Sequence, residues 1–162
     1  MKSIHSSQRS TKGNETMNLF GVLDINSSAL TAERERAEVV ASNLANAETT
    51  STPGGGPYKK RLVVFGTEQM GPGKFAQTLS QLRDLHAQGV KVEKVVEDKS
   101  AAIRRYDPGH PDADADGYVS FPNINPVEEM VNLMGAAQAY QLNVSAVQAT
   151  KAMISETIQI LT

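Results

Sequence analysis

Residues 126–162 of this 162-residue chain read PVEEMVNLMGAAQAYQLNVSAVQATKAMISETIQILT and decide its fold. Apolar side chains recur in this stretch every seven residues in two interleaved rows, which predicts a long helix of the coiled-coil type. The first row is Leu133, Tyr140, Val147, Ile154 and Leu161, and the second is Met130, Ala137, Val144 and Ile158. Asn125 is a favourable N-cap and Pro126 a favourable first helical residue, so we expect the helix to begin there.

The face of this helix away from the two rows is unusually poor in charge. The whole helix carries four charged side chains, one of which, Lys151, interrupts the second row, whereas a single amphipathic helix normally has a charged outer face. Apolar residues such as Val127, Met134 and Leu142 take the place of those charges, and exposed apolar patches usually mark contacts. We therefore expect the helix to pack against its own N-terminal partner and against other subunits. The alternative is an ordinary buried helix of a compact bundle.

A second helix is predicted over residues 17–50, with its clearest periodicity from Ser27 to Asn46. Leu23, Leu30, Ala37 and Leu44 form a row at intervals of seven, and Val40 belongs to the alternate row. Ser27 and Ser28 are candidate N-caps, although the helix could begin earlier, near Asp24. Residues 51–57, rich in Gly and Pro, predict a linker after this helix.

The remaining segments complete an α+β fold. Residues 1–16 are too polar to bury surface and are predicted to be a disordered extension. Residues 58–122 predict a small mainly-β domain, with strands at 62–65, 90–96 and 118–121 and a short helix near 75–88. Residues 123–162 contain the C-terminal helix. We expect the two long terminal helices to pair as an antiparallel coiled coil, with the small domain inserted between them.

The composition excludes several classes of function. A formal net charge of −2 provides no basic field for a phosphate backbone, so no nucleic-acid partner is predicted. The chain has no Cys, which rules out disulfides and thiolate chemistry. The first 16 residues lack the apolar stretch of a secretory signal, and we expect no cleaved signal peptide.

The most suggestive chemical motif is Asp112-Ala-Asp114-Ala-Asp116-Gly117, which matches the opening of a calcium-binding loop. The twelfth position should hold a bidentate Glu and holds Asn123 instead. A tight, solvated turn therefore explains the motif better than calcium does. His110 has no second His nearby in sequence, which favours a structural role. No catalytic residue, cofactor, metal or small-molecule substrate is predicted.

Three segments resemble the bacterial flagellar rod and hook proteins, the axial family of the flagellum. The stretch SALTAERERAEVVASNLANAET, residues 28–49, is similar to the N-terminal signature of that family. The C-terminal signature is similar to EEMVNLM at 128–134 and AYQLN at 139–143. Between them, YDPGHPDADADGYV at 106–119 and PNIN at 122–125 resemble the segment typical of a proximal rod member. Gln138 stands where the family usually has Arg or Lys.

The resemblance implies a structural subunit of the flagellar basal-body rod that polymerises through its terminal helices. Its implied partners are copies of itself, other rod proteins, the base of the basal body and the flagellar type III export apparatus. The rod crosses the periplasm, transmits motor torque to the hook and continues the export channel. Two alternatives stay open, namely another axial subunit of distal rod or hook type, and a small calcium-responsive binding protein.

The periodicity and the resemblance together select the residues expected to act in assembly. On the N-terminal helix they are Leu23, Leu30, Ala37, Val40, Asn43, Leu44 and Asn46. On the C-terminal helix they are Glu129, Met130, Leu133, Ala137, Tyr140, Asn143, Val144, Val147, Ile154, Ile158 and Leu161. The family-specific loop comprises Asp107, Pro108, Gly109, His110, Pro111, Asp112, Asp114, Asp116 and Gly117.

Overall fold

The computed structural model describes residues 19–69 and 88–160 of the chain. In the sequence, four strands lie between two long helices. The elements in chain order are α1 (Leu19–Ala45), β1 (Arg61–Gln69), β2 (Gln88–Glu97), β3 (Ile103–Tyr106), β4 (Tyr118–Phe121) and α2 (Pro126–Ile160). The predicted extension at 1–16 and the assembly residue Leu161 lie outside the described residues.

The two helices pack against each other along α1, and the α+β fold with a helical coiled-coil pair is confirmed. Asn43, near the C-terminal end of α1, contacts Glu129, near the N-terminal end of α2, so the helices run antiparallel. At about 1.5 Å per residue, α1 is about 40 Å long and α2 about 52 Å. The C-terminal turns of α2 therefore extend past the beginning of α1. Of residues 151–160, only Ile154 is half-buried and the others are exposed.

The seam of α2 that faces α1 differs from the predicted one in its second row. Leu133, Val147 and Ile154 of the first predicted row are half-buried, whereas Tyr140 is 42% exposed. In the second predicted row, Met130, Ala137 and Ile158 are exposed and Val144 is half-buried. The row found against α1 lies one residue earlier and comprises Glu129, Ala136, Asn143 and Thr150.

This shift has a physical reason in the size and polarity of the contacting side chains. Ala136 in α2 and Ala32 in α1 are both buried, and such small residues allow two helix backbones to approach closely. A prediction from hydrophobic periodicity gives little weight to small and polar residues. It therefore placed the larger Met130 and Ile158 in the contact with α1. Burial of Glu129 depends on a specific polar partner, which periodicity does not detect.

The start of α1 lies before both predicted positions, the N-cap at Ser27 or Ser28 and the earlier start near Asp24. The helix begins at Leu19, and both serines lie within it. The Ser28 hydroxyl donates to the Ile25 carbonyl at 2.7 Å and accepts from the Val90 amide at 3.1 Å. Ser28 therefore joins α1 to β2.

The beginning of α2 follows the predicted capping pattern. The Asn125 side-chain oxygen accepts a hydrogen bond from the Val127 amide at 3.0 Å, and Pro126 is the first helical residue. The Asn125 backbone carbonyl accepts from the Glu129 amide. This capped first turn fixes the position of Glu129 on the helix, and with it the place from which its side chain projects.

The strands form two separate antiparallel pairs. β1 and β2 pair with Arg61 opposite Glu97, with an irregularity between Val64 and Phe65, and this sheet packs on α1. β3 and β4 pair with Ile103 opposite Phe121. β3 was not predicted, because two of its four residues are Arg. The predicted helix near 75–88 falls outside the described residues except for Gln88, which opens β2.

Few apolar side chains are buried in the described part of the chain. They are Ala32, Val40, Val119, Phe121, Ile124 and Ala136. Fifteen large hydrophobic residues are exposed in the same part, nine of them on α2, from Val127 to Ile160. No helix among the described residues is long and apolar enough to cross a membrane.

Candidate assembly site

A buried polar contact joins the end of α1, the segment before β1 and the start of α2. We call Asn43, Lys60 and Glu129 the polar clamp. The Asn43 amide nitrogen donates to a carboxylate oxygen of Glu129 at 3.0 Å, and the Lys60 ammonium donates to the other carboxylate oxygen at 2.9 Å. Asn43 and Glu129 are each only 1% exposed. The clamp therefore connects both predicted signature helices inside the protein.

Asn43 uses its whole side-chain amide in this arrangement. Its nitrogen also donates to the Arg61 carbonyl at 2.8 Å, and its oxygen accepts from the Arg61 amide at 2.8 Å and from the Tyr58 hydroxyl at 3.2 Å. An amide with two donors and two acceptor sites is thus satisfied without water. The Asn43 amide thus bonds both backbone groups of Arg61, as a neighbouring strand would, and holds the first residue of β1 against the end of α1.

The carboxyl of Glu129 is held in its charged form. Burial, the largest contribution, acts to raise its pKa, but hydrogen bonds from Lys60 and Asn43 outweigh burial and lower the pKa of Glu129 below its ordinary value. The pKa of Lys60 is raised, first by its hydrogen bond to Glu129 and against an opposing effect of burial. At neutral pH both partners are therefore charged.

The clamp is sensitive to loss of one partner rather than a large source of stability. A buried ion pair gains little over an apolar pair of the same shape, because desolvation offsets attraction. Removing one partner is different, since the remaining charge stays buried and unpaired. The side chains of Ala32 and Ala136 are small and make contacts without a preferred direction. The clamp therefore supplies the directional contact that fixes the position of α2 along the axis of α1.

The predicted assembly residues of α1 lie at or near its contacts. Val40 and Asn43 are buried, and the others are half-buried, namely Leu23, Leu30, Ala37, Leu44 and Asn46. The Asn46 amide caps its own helix by donating to the Ser42 carbonyl at 2.9 Å. On α2, Asn143 donates in the same way to the Ala139 carbonyl. These asparagines are occupied within their own helices, unlike Asn43.

The outer face of α2 is apolar in its first two turns. Val127, Met130, Val131 and Met134 follow helical spacing along one side, away from α1, and Met134 is 71% exposed. Leu142 is exposed further along the helix. An apolar stripe of this kind on a structural element is typical of a contact surface.

The family-specific loop is an internally bonded turn rather than an open ligand site. One Asp114 carboxylate oxygen accepts from the amides of Asp116 and Tyr118, and the other accepts from Arg104. These contacts, the Tyr118 amide foremost, lower the pKa of Asp114. Gly117 has φ +78°, and a Cβ there would lie 2.9 Å from the Tyr106 ring, so the turn requires glycine.

Other residues of the loop anchor it to the rest of the chain. Asp112 accepts a hydrogen bond from the Thr50 hydroxyl at 2.7 Å, which joins the loop to the end of the α1 region. The His110 ring accepts from the Asp112 amide and packs edge-on against Phe121. In residues 19–69 and 88–160, no three His, Cys, Asp or Glu side chains are grouped as metal ligands would be.

Sequence reasoning did not identify three residues of the clamp region. Tyr58, Lys60 and Arg61 belong to the linker end and the first strand, where charged and aromatic residues are common on surfaces. Their role depends on contacts 15 to 18 residues away in α1 and farther still in α2, so local pattern carries no signal for it. Glu129 was selected through the resemblance.

Two family models match the ends of the chain. Residues 23–51 match the family described as "Flagella basal body rod protein". Residues 115–160 match the family described as "Flagellar basal body rod FlgEFG protein C-terminal". The two matched segments contain α1 from Leu23 onward, β4 and α2, and therefore Asn43 and Glu129 of the polar clamp.

Curated relatives match nearly the whole chain. The flagellar basal-body rod protein FlgC of Borreliella burgdorferi is 38% identical over 152 residues, covering 90% of this chain and 99% of that protein. FlgC of Salmonella typhimurium is 40% identical over 142 residues, covering 88% and 97%. FlgC of Bacillus subtilis is 38% identical over 148 residues, covering 89% and 99%. The chain belongs to the FlgC family of flagellar basal-body rod proteins.

Proposed function

We propose that this chain is a structural subunit of the flagellar basal-body rod. The observation that carries the proposal is the exposed apolar outer face of α2, within a helix pair whose inner face is already closed by α1. Leaving that much apolar surface in water is unfavourable by about 25 cal/mol per Å². A subunit that buries this face in a polymer removes that disadvantage.

Membership of the FlgC family supports the finer role that we propose. The chain packs through α1 and α2 into the proximal rod with copies of itself and with other rod proteins above the base of the basal body. It is exported by the flagellar type III apparatus without a cleaved signal and lies in the periplasmic part of the rod. There the rod transmits motor torque to the hook and continues the export channel.

A structural rather than enzymatic role is supported by what the described side chains do. The carboxylates of Glu129, Asp112 and Asp114 are all engaged in hydrogen bonds that hold elements together. Glu129, the one buried acid in residues 19–69 and 88–160, has Lys60 and Asn43 as its partners. These residues act as structural joints.

Distal rod and hook-type subunits are the second candidate, because the C-terminal family model carries the FlgEFG description. The curated relatives favour the proximal rod, because the proteins that match 88–90% of this chain are all named FlgC. The loop at 106–119 lies inside that full-length match. A calcium-responsive protein has less support, because the Asp112 and Asp114 carboxylates already have partners within the chain.

The test is mass spectrometry of purified hook–basal bodies from cells that carry this chain, combined with a deletion strain. We expect peptides of the chain at a few copies per particle and loss of motility on deletion, with recovery on re-expression. Well-formed particles that lack the chain, or a motile deletion strain, would contradict the proposal. Addition of calcium to the purified chain should release no binding heat.

A further inference from the structure

The β3–β4 hairpin and the family-specific loop form a unit apart from the other elements, and we call residues 99–121 the hairpin arm. No Cα atom of β3 or β4 lies within 8 Å of a Cα atom in α1, α2, β1 or β2. Neither strand therefore packs against the helix pair or against the β1–β2 sheet. Residues 99–102, which lead into β3, are all exposed.

The hairpin arm is held together from within. The Asp107 amide donates to the Gly117 carbonyl at 2.9 Å, which closes the loop between β3 and β4. The Arg105 guanidinium lies 3.8 Å from the centre of the Phe121 ring, and the His110 ring packs edge-on against the same ring. Because these contacts are internal, the shape of the arm does not depend on the helix pair.

A single polar contact joins the arm to the end of the α1 region. The Thr50 hydroxyl donates to an Asp112 carboxylate oxygen at 2.7 Å, in an exposed position. Between residues 99–121 and residues 19–69, 88–97 and 122–160, it is the only hydrogen bond or ion pair. An exposed hydrogen bond makes a modest net contribution, because both groups bond to water when it opens. The closed arrangement is therefore favoured but can open.

The root of the arm has room for movement. A cleft of about 200 Å³ lies between Ala102 and Pro122, where the chain enters and leaves the arm, and the linker residues Pro57 and Tyr58. A tightly packed joint would leave no space of this size. The arm can therefore change its angle at the root.

We propose that the hairpin arm turns as one body about its root, and that the Thr50–Asp112 hydrogen bond is the latch that holds it at the end of α1. Tyr106 and Tyr118 of the arm are 64% and 41% exposed, and Tyr is enriched at protein interfaces. The latch sets the position of these side chains relative to the helix pair without any change of fold. The device lies within one chain and is independent of the rod assignment.

A distance between two spin labels measures the angle of the arm. The natural chain has no Cys, so Ala115→Cys on the arm and Ala41→Cys on α1 give two unique attachment sites, and both positions are exposed. Double electron–electron resonance on the purified full chain gives the distribution of distances between the labels. Thr50→Val opens the latch, because Val has a similar size and lacks the hydroxyl donor.

The doubly labelled chain should show one main distance. Thr50→Val and Asp112→Ala should each broaden the distribution several-fold or add a second distance. Asp112→Asn should retain the main distance, because its amide oxygen still accepts a hydrogen bond.

Two matched controls should leave the distribution unchanged. Thr52→Val removes a hydroxyl that bonds within its own turn, to the Gly56 carbonyl. Asp116→Ala removes an exposed carboxylate of the same loop that accepts no hydrogen bond from residues 19–69 or 88–160. An effect of either control as large as that of the latch variants would contradict a specific latch.

An unchanged distribution in both Thr50→Val and Asp112→Ala would overturn the proposal, as would a broad distribution in the doubly labelled chain itself. Hydrogen exchange tests whether the arm moves as one body. In Thr50→Val the amides of Asp107 and Gly117 should keep their protection, since the bonds inside the arm are intact. Loss of that protection would mean that the hydrogen bond maintains the fold of the loop rather than its angle, and would also overturn the proposal.

Discussion

The two ends of the helix pair are built on different principles. At the clamp end, Asn43, Lys60 and Glu129 bury polar groups and satisfy them within one chain. At the opposite end, α2 extends beyond α1 and exposes Met153, Ile158 and Ile160. The first end is satisfied within the monomer, and the second exposes apolar side chains that no residue in 19–69 or 88–160 covers. This subunit therefore fixes the geometry of its helices internally and leaves their free surface for assembly.

The largest effect is expected at the clamp end. Glu129→Ala leaves the Lys60 ammonium and the Asn43 amide without their buried partner, and should reduce the free energy of unfolding by about 3 kcal/mol. The measurement is urea unfolding followed by circular dichroism. The matched control is Glu128→Ala, whose exposed carboxylate lies 3.8 Å from Lys60 and should contribute less than about 1 kcal/mol. Equal effects of the two substitutions would show that the clamp is not a distinct structural feature.

The seam between the two ends is tested by a neighbouring pair of alanines. Ala136 is 1% exposed against α1, so Ala136→Leu should separate the helices at a cost of about 1–3 kcal/mol. Ala137 is exposed, and Ala137→Leu should change stability by no more than about 0.5 kcal/mol. Thermal unfolding of both variants would distinguish them. A larger loss of stability in Ala137→Leu than in Ala136→Leu would instead support the seam predicted from hydrophobic periodicity.

The clamp end should also respond to acid. The folded-state pKa of Glu129 is lowered, so its contribution is complete above the unfolded value of about 4.5 and is lost as pH falls through the folded value. Lys60 has a raised pKa, so its contribution is complete below 10.5 and is lost as pH rises through its folded value. Urea midpoints measured between pH 3 and pH 7 should fall with acid. In Glu129→Gln this fall should be smaller, and an unchanged acid dependence would exclude the carboxyl as its source.

The smallest effect on folding is expected at the exposed face. Met134→Asp places a charge on a side chain that is already in water, so stability should change by about 0.5 kcal/mol or less. Incorporation into basal bodies should nevertheless fall strongly, because the new carboxylate would be buried without a partner in the polymer. Met134→Leu is the matched control and should assemble normally. Normal assembly of Met134→Asp would exclude this face as a contact surface.

Sequence pattern predicted the long elements well and the joints between them poorly. The heptad row at Leu133, Val147 and Ile154 indicated α2 and one side of its seam, because large apolar side chains at fixed spacing carry that signal. The other side of the seam depends on Ala136 and Glu129, whose burial follows from close backbone approach and from a partner in α1. Neither property is visible in local hydrophobicity.

The polar clamp could be predicted only in part for a similar reason. Asn43 and Glu129 stood out through resemblance to the axial signatures, but Lys60 carried no local sign of its role. Its ammonium contacts Glu129, which lies 69 positions later in the sequence, so only the folded chain brings the two together. Short β elements such as β3 depend likewise on pairing with β4 rather than on their own composition.

Hydrogen exchange of the subunit, free in solution and within purified basal bodies, tests the contrast between the two ends most directly. We predict that amides around Asn43 and Glu129 are protected in both states, whereas amides at 153–160 gain protection only on assembly. Equal protection of residues 153–160 in the free and assembled subunit would contradict the account. It would mean that the far end of α2 is already complete in the monomer.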